Sequence, residues 1–352
     1  MKIILRAIFV LILVAGAAAT VIAYRLYRAA EMPFQAYDPA NPPIVEIEQG
    51  MGTQAIGRRL VEAGVVKDPL TFRVAVWRTG NARRLQAGEY RFDRPLSAIE
   101  ALDKIARGEV DLLPLTFPEG LTIREMSRVF EDAGFGTAAS FVDSAGNGTL
   151  VRDLDPDAQD LEGYLFPDTY RLSRHTDAAR LVHLMVERFT KSLAPDIIES
   201  ARARGLSVRK LVTLASIIEK ETGKVEERPM VASVYSNRLR INMPLQCDPT
   251  VIFALQRAGK FDGNLRRDDL AFDSPYNTYR YPGLPPGPIA APGLGSLRAA
   301  AAPADTDYLY FVSRNDGTHA FASTLSEHNR NVQQFQVDYF RMKRLAERRG
   351  QP

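Results

Sequence analysis

The clearest periodic pattern of apolar and polar residues lies between Ser207 and Gly223. Neither Gly nor Pro interrupts the run from Leu211 to Thr222, and apolar residues recur there with the i, i+3, i+4, i+7 spacing of an amphipathic helix. The resulting apolar stripe consists of Leu211, Leu214, Ala215 and Ile218. The next position on the stripe is Glu221, in the last turn before Gly223. We therefore predict a helix that carries one carboxylate on its buried face and ends at the glycine.

A carboxyl group at the position of Glu221 is predicted to have an unusual pKa. Partial burial and the negative end of the helix dipole both disfavour the charged form, so the pKa rises toward neutrality. A general acid that protonates a glycosidic or acyl leaving group needs such a pKa. Glu219 lies about 200° away around the same helix and cannot face the same site. The alternative is that both glutamates are solvated residues at a helix end.

The remaining periodicities predict a mixed α+β fold. Helical spacing indicates further helices over residues 98–106, 178–192, 195–204, 229–240 and 251–258. Strands are predicted to begin at Ile44 and Gly88. Residues 308–312 are predicted to form a buried strand that pairs with residues 319–321 across the turn at 315–317. His328 is predicted to begin a terminal helix.

A weak internal repeat links two stretches of the N-terminal half. The spacing from Gly50 to Gly64 equals that from Gly120 to Gly134, and both stretches place Arg and Ala at equivalent positions. The repeat predicts two strand–turn–helix units. Small units of this kind are more typical of a binding module than of an active site.

The N-terminus carries an uncharged segment from Ala7 to Tyr24. Basic residues flank it on both sides, namely Lys2, Arg6, Arg25 and Arg28. At roughly 18 residues, the segment is just long enough to cross a membrane as a helix. The alternative is a cleaved secretory signal, because small residues at 17–19 would suit a signal peptidase. An uncleaved anchor is favoured because the apolar run continues beyond them, and the body of the protein is then expected outside the cytoplasm.

Composition narrows the class of protein. The 352 residues, 45% hydrophobic and 25% charged, are those of an ordinary globular protein with two or three domains. The net charge of +3 comes from interspersed basic and acidic residues, which argues against a nucleic-acid partner. Cys247 is the single cysteine in the sequence and allows no internal disulfide. The four histidines lack ligand spacing, so no metal is expected.

Three irregular segments carry candidate binding chemistry. Residues 161–170 combine aromatic rings with Glu162 and Asp168, which is common in carbohydrate clefts, although a hydrophobic loop that fills a core would look the same. Residues 245–250 form a predicted turn that presents Gln246 and Asp248. Residues 276–288 are too rich in Pro and Gly for regular structure and too aromatic for a flexible linker, so we interpret them as an ordered wall of the site.

Five of these strings together resemble the MltG-type (YceG-like) endolytic murein transglycosylases. They are residues 215–222, 231–239, 245–250, 276–279 and 283–289, and residues 162–170 and 308–312 also fit. The resemblance extends over nearly the whole chain, including the apolar N-terminal segment. Five ordered motifs at the family's spacing are far more specific than any one of them.

The resemblance implies a domain organisation. Residues 1–30 would be a cytoplasmic tail and transmembrane anchor, and 31–43 a linker. Residues 44–115 would form a small LysM-like module. Residues 116–352 would form an α/β catalytic domain with a lysozyme-like placement of a helix-borne Glu. The implied location is the inner (plasma) membrane, single-pass, with the catalytic domain on the periplasmic or extracytoplasmic side.

The resemblance also assigns roles to residues. In the family a hydroxyl residue follows the catalytic acid, and here that pair is Glu221 and Thr222, not Glu219 and Lys220. Where Cys247 stands, a small hydroxyl residue is commoner in the family. Substrate-binding or supporting roles are expected for Glu162, Tyr164, Asp168, Glu219, Thr222, Asn237, Gln246, Asp248, Asn277 and Tyr279. No cofactor is implied.

The implied reaction uses one carboxyl group as acid and then base, leaves a 1,6-anhydro end on N-acetylmuramic acid and consumes no water. The implied partners are peptidoglycan glycan strands, the membrane and peptidoglycan synthases. Two alternatives remain open at this point. One is a non-catalytic peptidoglycan-binding scaffold of the synthesis machinery. The other is a conventional muramidase with a second carboxylate at about 5 Å or at about 6.5–9.5 Å.

Overall fold

The computed structural model describes residues 2–348 and 350, and within them the chain mixes helices with three small sheets. The helices are α1 Lys2–Ala29, α2 Thr53–Glu62, α3 Pro69–Thr79, α4 Ala98–Ala106, α5 Ile123–Asp132, α6 Ala138–Ala145, α7 Ala178–Ser192, α8 Pro195–Ala203, α9 Val208–Glu221, α10 Arg228–Arg240, α11 Asp248–Arg257, α12 Leu294–Ala301, α13 Leu325–Val332 and α14 Tyr339–Arg348. The strands are β1 Ile44–Ile47, β2 Gly88–Arg91, β3 Leu113–Thr116, β4 Thr169–Leu172, β5 Tyr310–Ser313 and β6 His319–Ala322.

The first of two compact units takes the chain up to Leu113 together with Arg171–Arg174. Its strands β1 and β2 pair antiparallel, and alternate residues of β1 are buried. Helices α2, α3 and α4 surround a core that includes Leu60, Phe72, Tyr90 and Leu102. The unit is therefore built in the order strand, helix, helix, strand, helix.

Helix α1 precedes this core. Its segment Ile8–Ala29 is long and apolar enough, by length and composition, to cross a membrane. The exposed apolar side chains of this segment would face lipid in that setting. The structure thus contains one N-terminal helix suited to a single-pass anchor.

The second unit takes Pro114–Tyr170 and the chain from His175 onward. Helix α9 lies at its centre, in contact with α8, α10, α11 and α12. All residues from Leu211 to Ile218 are buried as a result. Ser207 accepts a hydrogen bond from the Lys210 N–H at 3.3 Å and starts the helix, and Thr222 ends it. This buried helix carries Glu221 at its last position.

The internal repeat is confirmed at the level of local structure. Gly50 and Gly120 both adopt positive φ, and a ten-residue helix, α2 or α5, follows each of them. Gly64 and Gly134 follow those helices, also with positive φ. A second helix follows in each stretch, α3 in the first and α6 in the second. Each stretch then ends in a strand that pairs with its own first strand, β2 with β1 and β4 with β3.

Several predicted elements are confirmed. Helices over 98–106 and 178–192 have the predicted bounds, and α8 and α10 differ from prediction by one residue at one end. Ser97 caps α4 through a reciprocal capping box with Glu100. Strand β6 pairs antiparallel with β5, with Phe311 opposite Phe321.

Three predicted details are wrong. The strand predicted at 308–312 begins at Tyr310 and is only half-buried, because β6 is its single partner strand among residues 2–348. The predicted turn at 245–250 stops at Cys247, since Asp248 and Pro249 suit the first turn of a helix and begin α11. The terminal helix begins at Leu325, before His328, because Thr324 and Glu327 form a capping box.

Gly163 allows the segment 161–167 to approach the loop that contains Pro288. Its φ of 83° favours glycine, and a Cβ atom there would overlap the Pro288 ring. Leu161 to Pro167 are buried, so this segment fills the core of the second unit.

Candidate active site

A cleft of about 270 Å³ in the second unit contains the carboxyl group of Glu221. Side chains from α9, α10, the turn before α11, the start of α11, the loop after it, strand β5 and α13 line the cleft. These are Glu221, Tyr235, Arg238, Leu245, Gln246, Asp248, Tyr279, Phe311 and His328. Three residues predicted to bind substrate, Gln246, Asp248 and Tyr279, are thus brought together with Glu221.

Glu221 is held by two neighbours. The Tyr235 hydroxyl donates a hydrogen bond of 2.6 Å to Oε1, and the Cys247 thiol also bonds to the carboxyl group. Burial raises the pKa of Glu221 against these two hydrogen bonds, which lower it, and the nearby Asp248 raises it further. The carboxyl group is therefore favoured in its protonated form beyond the usual pH range of a glutamate.

Cys247 is fully buried, and burial raises the pKa of its thiol well above the ordinary value. The thiol remains protonated and acts as a weak donor toward Glu221. The hydroxyl group of a serine or threonine at this position would donate a stronger hydrogen bond to the Glu221 carboxyl group. The cysteine thus lowers the pKa of Glu221 less than a hydroxyl residue would.

Asp248 and Tyr279 form a second polar pair in the cleft. The Tyr279 hydroxyl donates a hydrogen bond of 2.6 Å to Asp248 Oδ1. Asp248 lies in the first turn of α11, where a carboxylate is stabilised by the helix dipole. Asp248 itself is exposed to solvent. The pair places an acceptor opposite Glu221 that can bind hydroxyl or amide donors of a ligand.

Gln246 projects from a strained turn. Its φ is 50°, a left-handed conformation that non-glycine residues rarely adopt, and its N–H donates to Thr278 O at 3.2 Å. Strain of this kind persists where the surrounding structure imposes it, and it is concentrated at functional sites. The exposed Gln246 side chain is thereby fixed at the cleft.

We expect Gln246→Gly to raise the free energy of unfolding by roughly 0.5–1 kcal/mol, since glycine relieves the left-handed strain. The same change should lower substrate affinity because the side-chain amide is lost. Asn242→Gly is the matched control, since Asn242 also has a positive φ of 54° but lies outside the cleft. Chemical denaturation and steady-state kinetics of both variants measure the two effects. An unchanged KM in the Gln246→Gly variant would show that the Gln246 side chain does not bind substrate.

Sequence reasoning missed Arg238 and His328. Arg238 is buried and donates to Leu309 O and Leu245 O, both at 2.7 Å, so it ties β5 and the Gln246 turn to α10. His328 stacks on Tyr310, and in the described chain no partner bonds its buried Nδ1. Burial and the nearby Arg238 lower the pKa of His328, which favours the neutral ring. In the sequence, Arg238 occupies an ordinary position of α10, and nothing in the local pattern indicates that its side chain lies at the cleft.

Thr222 lies behind the cleft and not in it. It is buried, accepts a hydrogen bond from the Lys224 N–H at 3.0 Å and contacts Glu227 Oε2 at 3.4 Å. Glu227 in turn binds His319, through Nδ1 at 2.7 Å and the backbone N–H at 2.9 Å. Thr222 therefore fixes the end of α9 to strand β6.

Glu219 faces away from Glu221, as the helical geometry predicts. Its Oε1 pairs with Arg228 Nη2 at 2.8 Å, and its Oε2 accepts from the Gly293 N–H at 3.0 Å. The same Arg228 nitrogen pairs with Glu119 at 2.9 Å. Glu219 thus joins α9 to α10 and to the start of α12, and it supports the position of Glu221 two residues later.

Glu162, Tyr164 and Asp168 lie outside the cleft. Glu162 lines a different cavity and accepts from the Ile123 N–H, and burial raises its pKa to about 8. Tyr164 is buried and donates to Asp155. Asp168 accepts a hydrogen bond of 2.7 Å from Arg188. The contacts of all three are within the second unit, and none of them lines the cleft that contains Glu221.

Two asparagines that we expected to bind substrate or support the site do not line the Glu221 cleft, and their side-chain amides hold backbone segments together. Asn277 is fully buried and donates to Leu270 O and Phe272 O at 3.0 and 2.7 Å. Asn237 donates to Thr306 O and Tyr308 O at 2.7 and 3.0 Å. Both amides are satisfied by backbone carbonyl groups, which lie 69 and 71 residues away for Asn237 but only 7 and 5 residues away for Asn277.

Comparison with known proteins places these features in a family. The model of the YceG-like family matches residues 45–334. A Bacillus subtilis (strain 168) protein named endolytic murein transglycosylase is 33% identical over 307 residues, which are 83% of this chain and 84% of that protein. A Streptococcus pneumoniae serotype 2 protein of the same name is 32% identical over 320 residues. The alignment covers 82% of this chain but only 57% of the longer streptococcal protein.

A solved structure is similar as well. The 2.6 Å crystal structure of a yceG-like protein from Listeria monocytogenes superposes with a TM-score of 0.56 at 30% sequence identity. The match covers 82% of this chain and 99% of that one. The match is too long to lie in one unit alone, and the family match over residues 45–334 includes the residues that line the Glu221 cleft.

Proposed function

This chain belongs to the YceG-like family, and on that basis we propose that it is an endolytic murein transglycosylase whose general acid and base is Glu221. The observation that carries the proposal is the position of this carboxyl group, at the end of a buried helix, hydrogen-bonded to Tyr235 and open to a cleft of about 270 Å³. The activity is the one for which the similar proteins of B. subtilis and S. pneumoniae are named.

The chemistry needs two proton transfers, and the carboxyl group of Glu221 takes part in both. Protonated Glu221 donates to the glycosidic oxygen between N-acetylmuramic acid and N-acetylglucosamine as the bond from that oxygen to C1 breaks. The resulting carboxylate then takes the proton of the muramoyl 6-hydroxyl while O6 bonds to C1. A 1,6-anhydro end forms, Glu221 is protonated again and no water is consumed.

The raised pKa of Glu221 suits the first of these steps. A rate that depends on the protonated carboxyl group declines as the pH rises through the pKa of that group. Because burial raises this pKa, the decline shifts from the acidic range of a free glutamate toward neutral pH. Gln246, Asp248 and Tyr279 would bind hydroxyl and acetamido groups of the sugars on either side.

Tyr235→Phe should raise the pKa of Glu221 further, because the variant loses a hydrogen bond that lowers it. The alkaline limb of the pH–rate profile should then move to higher pH, and the maximum rate should fall about tenfold as the carboxyl group loses its orientation. Tyr170→Phe is the control, since it removes a hydrogen bond of 2.7 Å to Phe166 O away from the cleft. An unshifted profile in Tyr235→Phe would contradict the assigned hydrogen bond.

The first unit supports a location at the cell wall. We propose that this unit, with its order of strand, two helices and strand, is a LysM-like module over residues 44–115, and that α1 anchors it as a single-pass helix in the inner membrane. Residues 116–352 would then form the catalytic domain, on the extracytoplasmic side, with a lysozyme-like placement of Glu221. Membrane-anchored synthases of glycan strands would be neighbours in that location.

Endolytic cleavage can be tested by the size of early products. The full-length protein in detergent should convert long glycan strands into fragments of intermediate length before short ones accumulate. Disaccharides as the first product would show cleavage from strand ends and contradict the endolytic assignment. Binding without any cleavage by folded protein would favour the scaffold alternative.

The muramidase alternative is favoured by one observation, the presence of Asp248 in the Glu221 cleft. A hydrolase that used Asp248 as its second carboxylate would lose activity in Asp248→Asn by several orders of magnitude and release reducing ends. The transglycosylase reaction needs only Glu221, so Asp248→Asn should mainly raise KM.

A further inference from the structure

A second cavity, of about 950 Å³, lies in the same unit as the Glu221 cleft. Its walls come from the end of α8, the start of α9, the end of α10 and the loop at residues 283–286. Helices α9 and α10 also carry Glu221 and Tyr235, so the two cavities share supporting elements. The proposed reaction assigns this larger cavity no role.

The cavity is strongly basic. Four basic side chains, Arg204, Arg209, Lys210 and Arg240, line it, and the lining, all of it from the described chain, contains no Asp or Glu. Arg209 pairs with Asp155 at 2.9 Å, yet its Nη2 is buried and has no hydrogen-bond partner in the part of the chain described. The cavity therefore offers three cations beyond this ion pair and one nitrogen atom, Arg209 Nη2, whose N–H groups are unused.

The three remaining cations are free to bind a ligand. Within residues 2–348, the side chains of Arg204, Lys210 and Arg240 make no ion pair and no hydrogen bond. Like charges gathered around one concave surface repel each other, and bound anions relieve that repulsion. An anionic ligand with more than one carboxylate or phosphate group fits this arrangement.

The wall formed by the Pro-rich loop is fixed in place. The Pro286 carbonyl accepts a hydrogen bond of 3.2 Å from Arg209 Nη1, so the loop is tied to the start of α9. Leu284 and Pro285 add apolar surface beside the cations. A ligand that combines carboxylates with short aliphatic side chains matches both features.

The distance between the two cavities suggests how one substrate reaches both. Lys210 and Glu221 are eleven positions apart on α9, which places them about 16 Å apart along the helix axis. Leu211 to Ile218 between them are buried, so a substrate that reaches both cavities follows the protein surface beside the helix. An extended peptide of four or five residues spans about 16 Å. Murein strands carry short peptides of this length, with free carboxylates, on each muramoyl sugar.

We propose that the basic cavity binds the carboxylates of the murein peptide while the sugar backbone occupies the Glu221 cleft. The inference rests on the proposed function, because it takes murein as the substrate. It assigns the protein a preference for strands that still carry their peptides over strands from which the peptides have been removed.

Charge reversal tests the assignment. On peptide-bearing strands, Lys210→Glu/Arg240→Glu should lower kcat/KM about tenfold through KM, since two attractive contacts become repulsive. On peptide-free strands its kcat/KM should equal that of the wild type. Arg180→Glu/Arg202→Glu is the matched control, because both arginines are exposed helix residues outside the cavity. Equal losses on both substrates, or equal losses in the control, would overturn the proposal.

A binding measurement separates this proposal from the proposed function, since it requires no turnover. Calorimetry with the full-length Glu221→Gln protein should detect a synthetic stem tetrapeptide, and weaker binding when its carboxylates are amidated. Inorganic pyrophosphate is the comparison ligand. Pyrophosphate binding without peptide binding would overturn the proposal in favour of a phosphate group. Peptide binding by a protein that cleaves no strand would support the cavity assignment and reject the catalytic one.

Discussion

Glu221→Gln is expected to reduce cleavage of glycan strands by about 10³-fold or more, because the variant lacks the proton that the leaving oxygen needs. The fold should persist, since the amide oxygen can still accept the Tyr235 hydrogen bond. The variant should also be at least as stable at neutral pH. The pKa of Glu221 is raised in the folded protein, so ionisation of this group weakens folding as the pH rises through that pKa. Glutamine does not ionise, so the variant does not lose folding stability in this way.

Glu226→Gln is the matched control for this result. Glu226 is an exposed glutamate shortly after the helix, and its replacement should leave both cleavage and stability unchanged. Rates measured on purified glycan strands and chemical denaturation of the three proteins give the comparison. Cleavage by Glu221→Gln at a rate within tenfold of the wild-type rate would show that Glu221 is not the general acid and base.

Arg228→Met is expected to lower the free energy of unfolding by about 3–5 kcal/mol at neutral pH, because a buried carboxylate is left without its cation. Glu219 and Arg228 are both almost inaccessible, with side chains 5% and 7% exposed. The decrease in the free energy of unfolding should be smaller at acidic pH. Burial raises the pKa of Glu219, and protonation removes the unpaired charge as the pH falls through that pKa.

Two further variants separate the buried ion pair from a simple packing defect. Arg228→Met/Glu219→Gln should regain part of the lost stability, because its core contains no unpaired charge. Arg266→Met, at an exposed ion pair with Asp262, should change stability little. Thermal unfolding at pH 7 and pH 4.5 measures these differences. A loss in Arg228→Met that is the same at both pH values would argue against an uncompensated Glu219 charge.

The site was partly predictable from sequence because Glu221 depends on local geometry. Its place on the apolar stripe of α9 and its separation from Glu219 follow from helical periodicity, whereas the helix ends at Glu221, two residues before the predicted stop at Gly223. Gln246 and Asp248 were predictable for a similar reason, since a turn next to a helix start presents polar side chains.

Other parts of the site depend on contacts between distant segments and carry no local signal. Tyr235 looks like one more apolar residue on α10, yet its hydroxyl reaches Glu221. Arg228 resembles a surface residue in sequence but is buried beside Glu119, which lies 109 residues earlier in the chain. Helix α12 was not predicted, since a run of small residues that is buried on most sides shows no periodicity.

The most direct test of the central claim is the chemical nature of the new strand ends. Full-length protein in detergent would digest uncrosslinked glycan strands, and mass spectrometry would identify the ends, with the Glu221→Gln protein analysed alongside. We predict internal fragments that end in 1,6-anhydro-N-acetylmuramic acid, 18 Da lighter than hydrolytic products (about the mass of one water), and none from the variant. Reducing ends from the wild-type protein would contradict the single-carboxyl mechanism and assign the second carboxylate to Asp248.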